Sequence, residues 1–398
     1  MKKLMRVMAI FCAGVLTVCA QEIPPETLQL AHIRFHMLEQ LREEPNYTCV
    51  ESVERSRRAG AKKSFQLQDT LRLEVALVDR KEMFAWPGAK KFESADVRDL
   101  VKNGAIGNGN FAGFAGAIFE GSITFSYKGM EGEWARYDYH VPLLQSGYSI
   151  QHGSREAKVA YHGSVFANLQ TLDVHRIEVI AEDIPPEVEL KAVTTRMDYA
   201  RVKIGESDFL LPAESEMVLT DLEDQEYRDR VRLTSCREFT GESVLTFDEP
   251  PADSAPKAAP LELTLPADLT MQLRLEVQID TESTVIGDAL RATLENDLKQ
   301  KGQLLMPKGA TVQGRVTRME KHGDYSELGL EFDEIDSARA LAHFAGTLDS
   351  LPGPWFLAST EMQRRRIQKT ARGESVLILK GGRVRIPRGT ILYWRTIE

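Results

Sequence analysis

Three observations predict a mainly β chain, in which a half-open antiparallel barrel with an N-terminal helix and an inserted helical lid precedes a smaller all-β barrel-like domain. Apolar and polar residues alternate in run after run, a Pro/Ala-rich stretch divides the runs into two groups, and helical spacing is confined to the first group.

Lys2, Lys3 and Arg6 precede an apolar run from Val7 to Val18, and Val18-Cys19-Ala20 offers small side chains around a cleavage point. That layout predicts a secretory signal peptide over residues 1–20, cleaved after Ala20. The run is too short for a permanent membrane anchor. Leu16-Thr17-Val18-Cys19 resembles a lipobox that would acylate Cys19, but Val18 is bulkier than the Gly, Ala or Ser expected there, so ordinary cleavage is preferred. Loss of three cations and no acids takes the formal net charge from −9 to −12. An acidic, exported chain is a poor binder of nucleic acid or anionic membrane, and no later stretch is apolar enough for a transmembrane helix. A periplasmic or secreted location is expected.

The first domain, 21–247, opens with a helix over about Pro25–Glu44. Leu28, His32, Phe35 and Leu38 recur at helical spacing and Pro45 ends it. From Tyr47 the period becomes two. Phe65, Leu67, Leu71, Leu73, Val75 and Leu77 alternate with polar residues, and similar patterns recur at 123–127, 135–141, 159–161, 174–179, 193–199 and 226–236. About ten strands result, interrupted by a short helix at Ala95–Lys102 and a run rich in Gly, Ala and Phe. Two cysteines, Cys49 and Cys236, would remain in the mature chain. In an oxidising compartment they most simply form one disulfide tying the first strand of the domain to its last. The chain-entropy model gives such a long loop about 5 kcal/mol of stabilisation.

Asp248–Pro260 holds four prolines and four alanines and reads as a semi-rigid linker. The second domain, 261–398, alternates from Leu269 through Ile279. A weak internal repeat matches Leu305–Val312 with Arg385–Leu392, each containing Pro-Lys/Arg-Gly between apolar runs. Proline presets φ and glycine permits φ > 0, so both copies are turns, and two matched turns suggest pseudo-symmetric halves.

The order leading helix, about ten antiparallel strands and inserted helix resembles the half-open barrel of the lipoprotein carriers LolA and LolB and of the sigma-factor regulator RseB. Asn46-Tyr47-Thr48-Cys49 and Phe209-Leu210-Leu211-Pro212 are similar to stretches of uncharacterised exported bacterial proteins. In the LolA/LolB/RseB family the hollow face is apolar and takes acyl chains or a partner segment. The resemblance implies Phe111, Phe114, Ile118 and Phe119 on the lid, with Tyr137 and Tyr139 on the sheet, as ligand-binding residues. Ordinary core is the competing role for all six. Ile286-Gly287-Asp288, followed by Leu304–Ala310, resembles the barrel domain of TrbI-type conjugation proteins, although their cytoplasmic region and transmembrane helix are not recognisable here.

Catalytic signatures are absent from the sequence: no Gly-x-Ser-x-Gly, no His-Glu-x-x-His, no Ser-x-x-Lys with its partner motifs and no P-loop occurs. His32 and His36, with Glu39 a turn on, share helical spacing but are explained by an amphipathic helix, so no metal is expected there. His140, His152, His162 and His175 fall in successive strands whose register decides whether they converge. Gly104–Gly116 suits a flexible lid better than a phosphate cradle, since no strand precedes it and no Lys-Ser/Thr follows. Arg364–Lys369 is a basic, solvated loop. Asn46-Tyr47-Thr48 fits a glycosylation sequon without meaning in a bacterial envelope, and Asp183–Glu187 is a turn. The expectation is an exported cell-envelope binding protein without catalysis or cofactor, holding a lipid, a lipoprotein or a protein segment. The alternatives are an assembly component docking through the second domain and a hydrolase using the histidines.

Overall fold

A computed structural model of the chain describes residues 23–79, 81–89, 92, 94, 96–101, 111–239, 261–322, 324–337, 340–354, 373–381 and 383–398. The signal peptide at 1–20, the linker at 248–260, the basic run 364–369 and the side chain of Phe111 lie outside the described residues.

The chain is mainly β. Helix α1 (Pro25–Glu43) starts where two prolines preset the first turn, carries Glu26 in its first turn and Arg42 in its last, and stops before Pro45. Strands β1 (Tyr47–Ala59), β2 (Gln66–Val78) and β3 (Lys81–Ala85) follow, then α2 (Val97–Leu100) and α3 (Phe111–Glu120). Next come β4 (Phe125–Glu131), β5 (Trp134–Val141), the hairpin β6 (Ser149–His152) and β7 (Arg155–Lys158), β8 (Ala160–Asn168) and β9 (Val174–Glu182). The long strands β10 (Leu190–Ile204), β11 (Ser207–Asp221) and β12 (Gln225–Glu238) complete a ten-stranded sheet in the order β3-β2-β1-β12-β11-β10-β9-β8-β5-β4. It curls into a half-barrel over α1.

Where one short helix and a glycine-rich lid were expected, α2 is only four residues long and Phe111–Glu120 is itself helical. The face that α1 buries also differs from the expected one. Ile33, Met37 and Leu41 are buried, whereas Leu28 and Phe35 are 50% and 60% exposed. Both stripes have helical spacing, and contact with the sheet chose between them.

Cys49 and Cys236 form a disulfide across a sequence separation of 187. They join β1 to β12, which are neighbours inside the sheet, while β3 and β4 are its edges. A β-bulge sits on β12 opposite Cys49, and its residue Ser235 has φ +52°. The extra residue re-aims Cys236 toward its partner. A disulfide fits an oxidising, extracytoplasmic setting. No helix of the described residues is long and apolar enough to cross a membrane.

Residues 261–398 add β13 (Leu261–Thr264), β14 (Thr270–Leu275), β15 (Ile279–Asp280), β16 (Ala289–Leu294), β17 (Leu298–Gln300), β18 (Gln303–Met306), β19 (Thr311–His322) and β20 (Tyr325–Asp336). They end with β21 (Ala340–His343), β22 (Ala345–Ser350), β23 (Ser375–Lys380), β24 (Arg385–Ile386) and β25 (Ile391–Ile397). Nine of these form a second sheet running β13-β21-β20-β19-β16-β14-β25-β22, with β23 also on β20. The unbroken strand expected from Leu269 to Ile279 is two strands, because β14 ends at Leu275 and β15 leaves to pair with β24.

The two Pro-Lys/Arg-Gly turns make the same hydrogen bonds. Gly309, at φ +87°, donates to the Leu294 carbonyl, and Leu294 N–H donates to Ala310. Gly389, at φ +89°, donates to the Leu275 carbonyl, and Leu275 N–H donates to Thr390. Leu275 and Leu294 end the neighbouring strands β14 and β16, so the turns are related across that pair.

The two sheets meet. Ile286 pairs with Leu71 in an isolated parallel bridge, closed by Arg72 N–H to Ile286 O (2.8 Å) and Ile286 N–H to Thr70 O (3.0 Å). This bridge uses the part of β2 that β3, paired only from Glu74 onward, leaves open. Arg72 also forms an ion pair with Asp288. Gly287 has φ +94°, and a Cβ there would run into the Arg72 carbonyl and the Trp86 ring. Val53, Leu71 and Val231 of the first sheet belong to the same buried cluster as the core of the second.

Candidate functional site

Five of the six sequence-predicted ligand residues can be placed, and the fold brings them together. Phe114, Ile118, Phe119, Tyr137 and Tyr139 belong to one apolar cluster between α1, α3 and strands β5, β8, β9 and β10. Ile118, Phe119, Tyr137 and Tyr139 are buried and Phe114 is half-buried. Alternation along β5 sends its odd-numbered residues to this face and Arg136, Asp138 and His140 to the other.

A path of ring contacts begins and ends on α3. It runs Phe119–Phe125 (6.3 Å between centroids), Phe125–Tyr139 (5.8 Å), Tyr139–Tyr161 (6.2 Å), Tyr161–Tyr148 (5.6 Å) and Tyr148–Phe114 (5.3 Å). Sequence reasoning placed Phe125 and Tyr161 on strands without giving them a role, and it missed Tyr148, Ile33 and Met37. Only the alternation around Tyr161 signalled its direction. Most of the polar handles in this cluster are used: Tyr139 Oη donates to Glu178 O (2.8 Å) and Tyr137 Oη to Glu26 O (3.2 Å). Tyr199 Oη is buried without a hydrogen-bond partner. Burial holds the phenols of Tyr139 and Tyr199 well above their ordinary pKa.

Helix α3 contributes little to its own stability. Its sequence Phe-Ala-Gly-Phe-Ala-Gly-Ala-Ile-Phe-Glu has two interior glycines, each costing about 1 kcal/mol relative to alanine. It has no acidic residue in the first turn or basic residue in the last, and Glu120 stands at the negative end of the dipole. Arg34 of α1 clamps that end, donating from Nε to Phe119 O and from Nη2 to Gly121 O, both at 2.7 Å.

The histidines divide. His36 Nε2 lies 2.9 Å from Asp173, whose carboxyl burial pushes up but Arg201 and His36 hold below its ordinary value. His32 is exposed on α1. His140 and His162 are cross-strand partners and both reach Glu182, at 3.0 and 2.8 Å, on the solvent-facing side of the sheet. His152 instead faces Val188 O, and His175 stacks on Trp134 at 4.1 Å.

The other half of the covered face carries charge. Arg55 makes a two-pronged ion pair with Asp69 (2.6 and 2.5 Å). Glu51 is 3% exposed between Leu73 and Leu233, and burial raises its pKa to about 7. A cavity of about 130 Å³ lies where the sheets meet, lined by Arg55, Asp69, Trp86, Ile286, Arg315 and Arg318 among others. Its guanidinium groups face carboxylates, Arg315 that of Asp333 and Arg318 those of Glu320 and Glu327.

No family model matches the chain, and no curated protein matches it. Among solved structures it is similar to a DUF1329 family protein from Desulfovibrio piger, at 10% identity and a TM-score of 0.30, over 56% of this chain and 96% of that one.

Proposed function

We propose that the chain is an exported, non-catalytic cell-envelope binding protein of two domains, 21–247 and 261–398. Like the LolA, LolB and RseB half-barrels it resembles, the first would hold an acyl chain or apolar protein segment against its covered face, with α3 as the lid. One observation carries this: the aromatic path of the sheet closes on Phe114 and Phe119 of a helix with little stability of its own. Displacing α3 would exchange its apolar side chains for those of a ligand, at small net cost in buried area. The unpartnered Tyr199 hydroxyl offers a donor for a ligand's carboxyl or carbonyl group.

The test is titration of the full chain with cis-parinaric acid, followed by probe fluorescence. Saturable binding of about one probe per chain is expected, with faster association in Arg34→Met. No saturable binding at micromolar protein in either form would sink the proposal. A hydrolase has one observation in its favour, the His140–Glu182–His162 bridge. It requires turnover of an ester substrate that His162→Ala abolishes, whereas a pure binder has no turnover to lose.

A further inference from the structure

We propose a divalent transition-metal site, zinc first, at the end of the β19–β20 hairpin, built from Glu320, His322 and Glu327. Nothing in the ligand-binding proposal above requires it. One ligand atom from each residue lies within 4.8 Å of the other two.

Strand register creates the group. Glu320 and Glu327 are direct cross-strand partners, and His322 follows Glu320 by two positions, so all three side chains leave the same face of the hairpin. Two carboxylates directly opposite each other repel and destabilise a ladder unless a cation lies between them. Arg318 meets one oxygen of each, Glu320 Oε1 and Glu327 Oε2, both at 3.5 Å. The other oxygens, Glu320 Oε2 and Glu327 Oε1, face His322 Nε2 at 3.7 and 3.9 Å. Those separations exceed hydrogen-bond length, and Nε2 is buried without a hydrogen-bond partner.

The arrangement suits a metal better than a hydrogen-bond network. One imidazole nitrogen and two carboxylate oxygens form a triangle slightly wider than the ligand spacing of a tetrahedral ion with bonds of about 2.0–2.2 Å. A small inward movement of each side chain would close it. The outer shell is in place as well. Arg318 occupies the carboxylate oxygens turned away from the triangle, and Tyr325 stacks on the His322 ring at 4.5 Å and 17°, fixing its plane. An imidazole in the set favours zinc over calcium or magnesium, which take oxygen ligands. Glu320 and Arg318 also line the cavity between the sheets, so a bound ion would stiffen the hairpin end that forms one of its walls.

The test uses the full chain, stripped with chelator and titrated with zinc chloride by calorimetry, with cobalt(II) absorption as a second readout. One equivalent of zinc is expected to bind and raise the melting temperature. His322→Ala and Glu320→Gln should each weaken binding about tenfold or more, and His140→Ala/His162→Ala should leave it unchanged. Calcium at equal concentration should not compete. The proposal is overturned if no saturable binding occurs, or if binding survives in His322→Ala and disappears in His140→Ala/His162→Ala. Because His322 and Glu320 are half-buried rather than core residues, both variants should fold, and their metal-free melting temperatures check this.

Discussion

The two halves of the covered face of the ten-stranded sheet are made by the same strand alternation and sealed in opposite ways. Over β5, β8, β9 and β10 the inward residues are aromatic or aliphatic, and α1 and α3, both earlier in the same sheet's stretch of chain, cover them. Over β1, β2 and β12 the inward set includes Glu51, Arg55, Asp69 and Asp229, all buried. Their cover comes partly from a distant segment, residues 285–288, which joins β2 by two backbone hydrogen bonds and one ion pair. Where a second sheet docks, charges have been retained, and their desolvation must be offset by pairing.

The largest effect of substitution is expected on the apolar side. Phe119→Ala, at a fully buried position, should cost about 3–5 kcal/mol in chemical denaturation. A loss below 1 kcal/mol would mean that α3 is not packed as a lid. On the docked side, Gly287→Ala forces a Cβ into the Arg72 carbonyl at a positive φ. It should cost about 2–4 kcal/mol and separate the melting of the two sheets into distinct calorimetric transitions. A single unshifted transition would show that the bridge at Ile286 does not couple them.

Glu51 sharpens the contrast through pH. Its carboxyl is raised from 4.5 in the unfolded chain to about 7 in the fold by burial. Its contribution to stability is therefore fully present below pH 4.5 and lost as the pH rises toward and through 7. By pH 8 the loss is about 3 kcal/mol, and Glu51→Gln should remove that part of the pH dependence. Parallel stability–pH curves for wild type and Glu51→Gln would refute the buried acid. The smallest effect belongs to Arg34→Met, about 1–2 kcal/mol from two charge-assisted bonds to the end of α3, read as faster amide exchange in Phe114–Glu120 with β1 and β12 unaffected.

Much of the fold was legible in the chain because it depends on short-range chemistry. Alternation located many of the strands before residue 248, Pro45 ended α1, and two cysteines in strand-like sequence indicated their own bridge. The ligand-site residues were partly legible for the same reason: Tyr137 and Tyr139 sit two apart on one strand. Tyr148, in the connection between β5 and β6 and lacking any periodic signal of its own, was not. On α1 both Leu28/Phe35 and Ile33/Met37/Leu41 have helical spacing, so periodicity alone could not say which would be buried.

By itself, the sequence determined the β class, the positions of many strands before residue 248, the pair of matched turns and the cysteines available to crosslink, since each follows from neighbours a few residues apart. Only the tertiary structure decided that His140 and His162 share Glu182, that Glu320, His322 and Glu327 converge, and that Ile286-Gly287-Asp288 lies against β2. Those outcomes depend on register and docking. A one-residue slip in register turns every side chain of a strand to the opposite face, and no local pattern fixes which distant segment will cover an open strand edge.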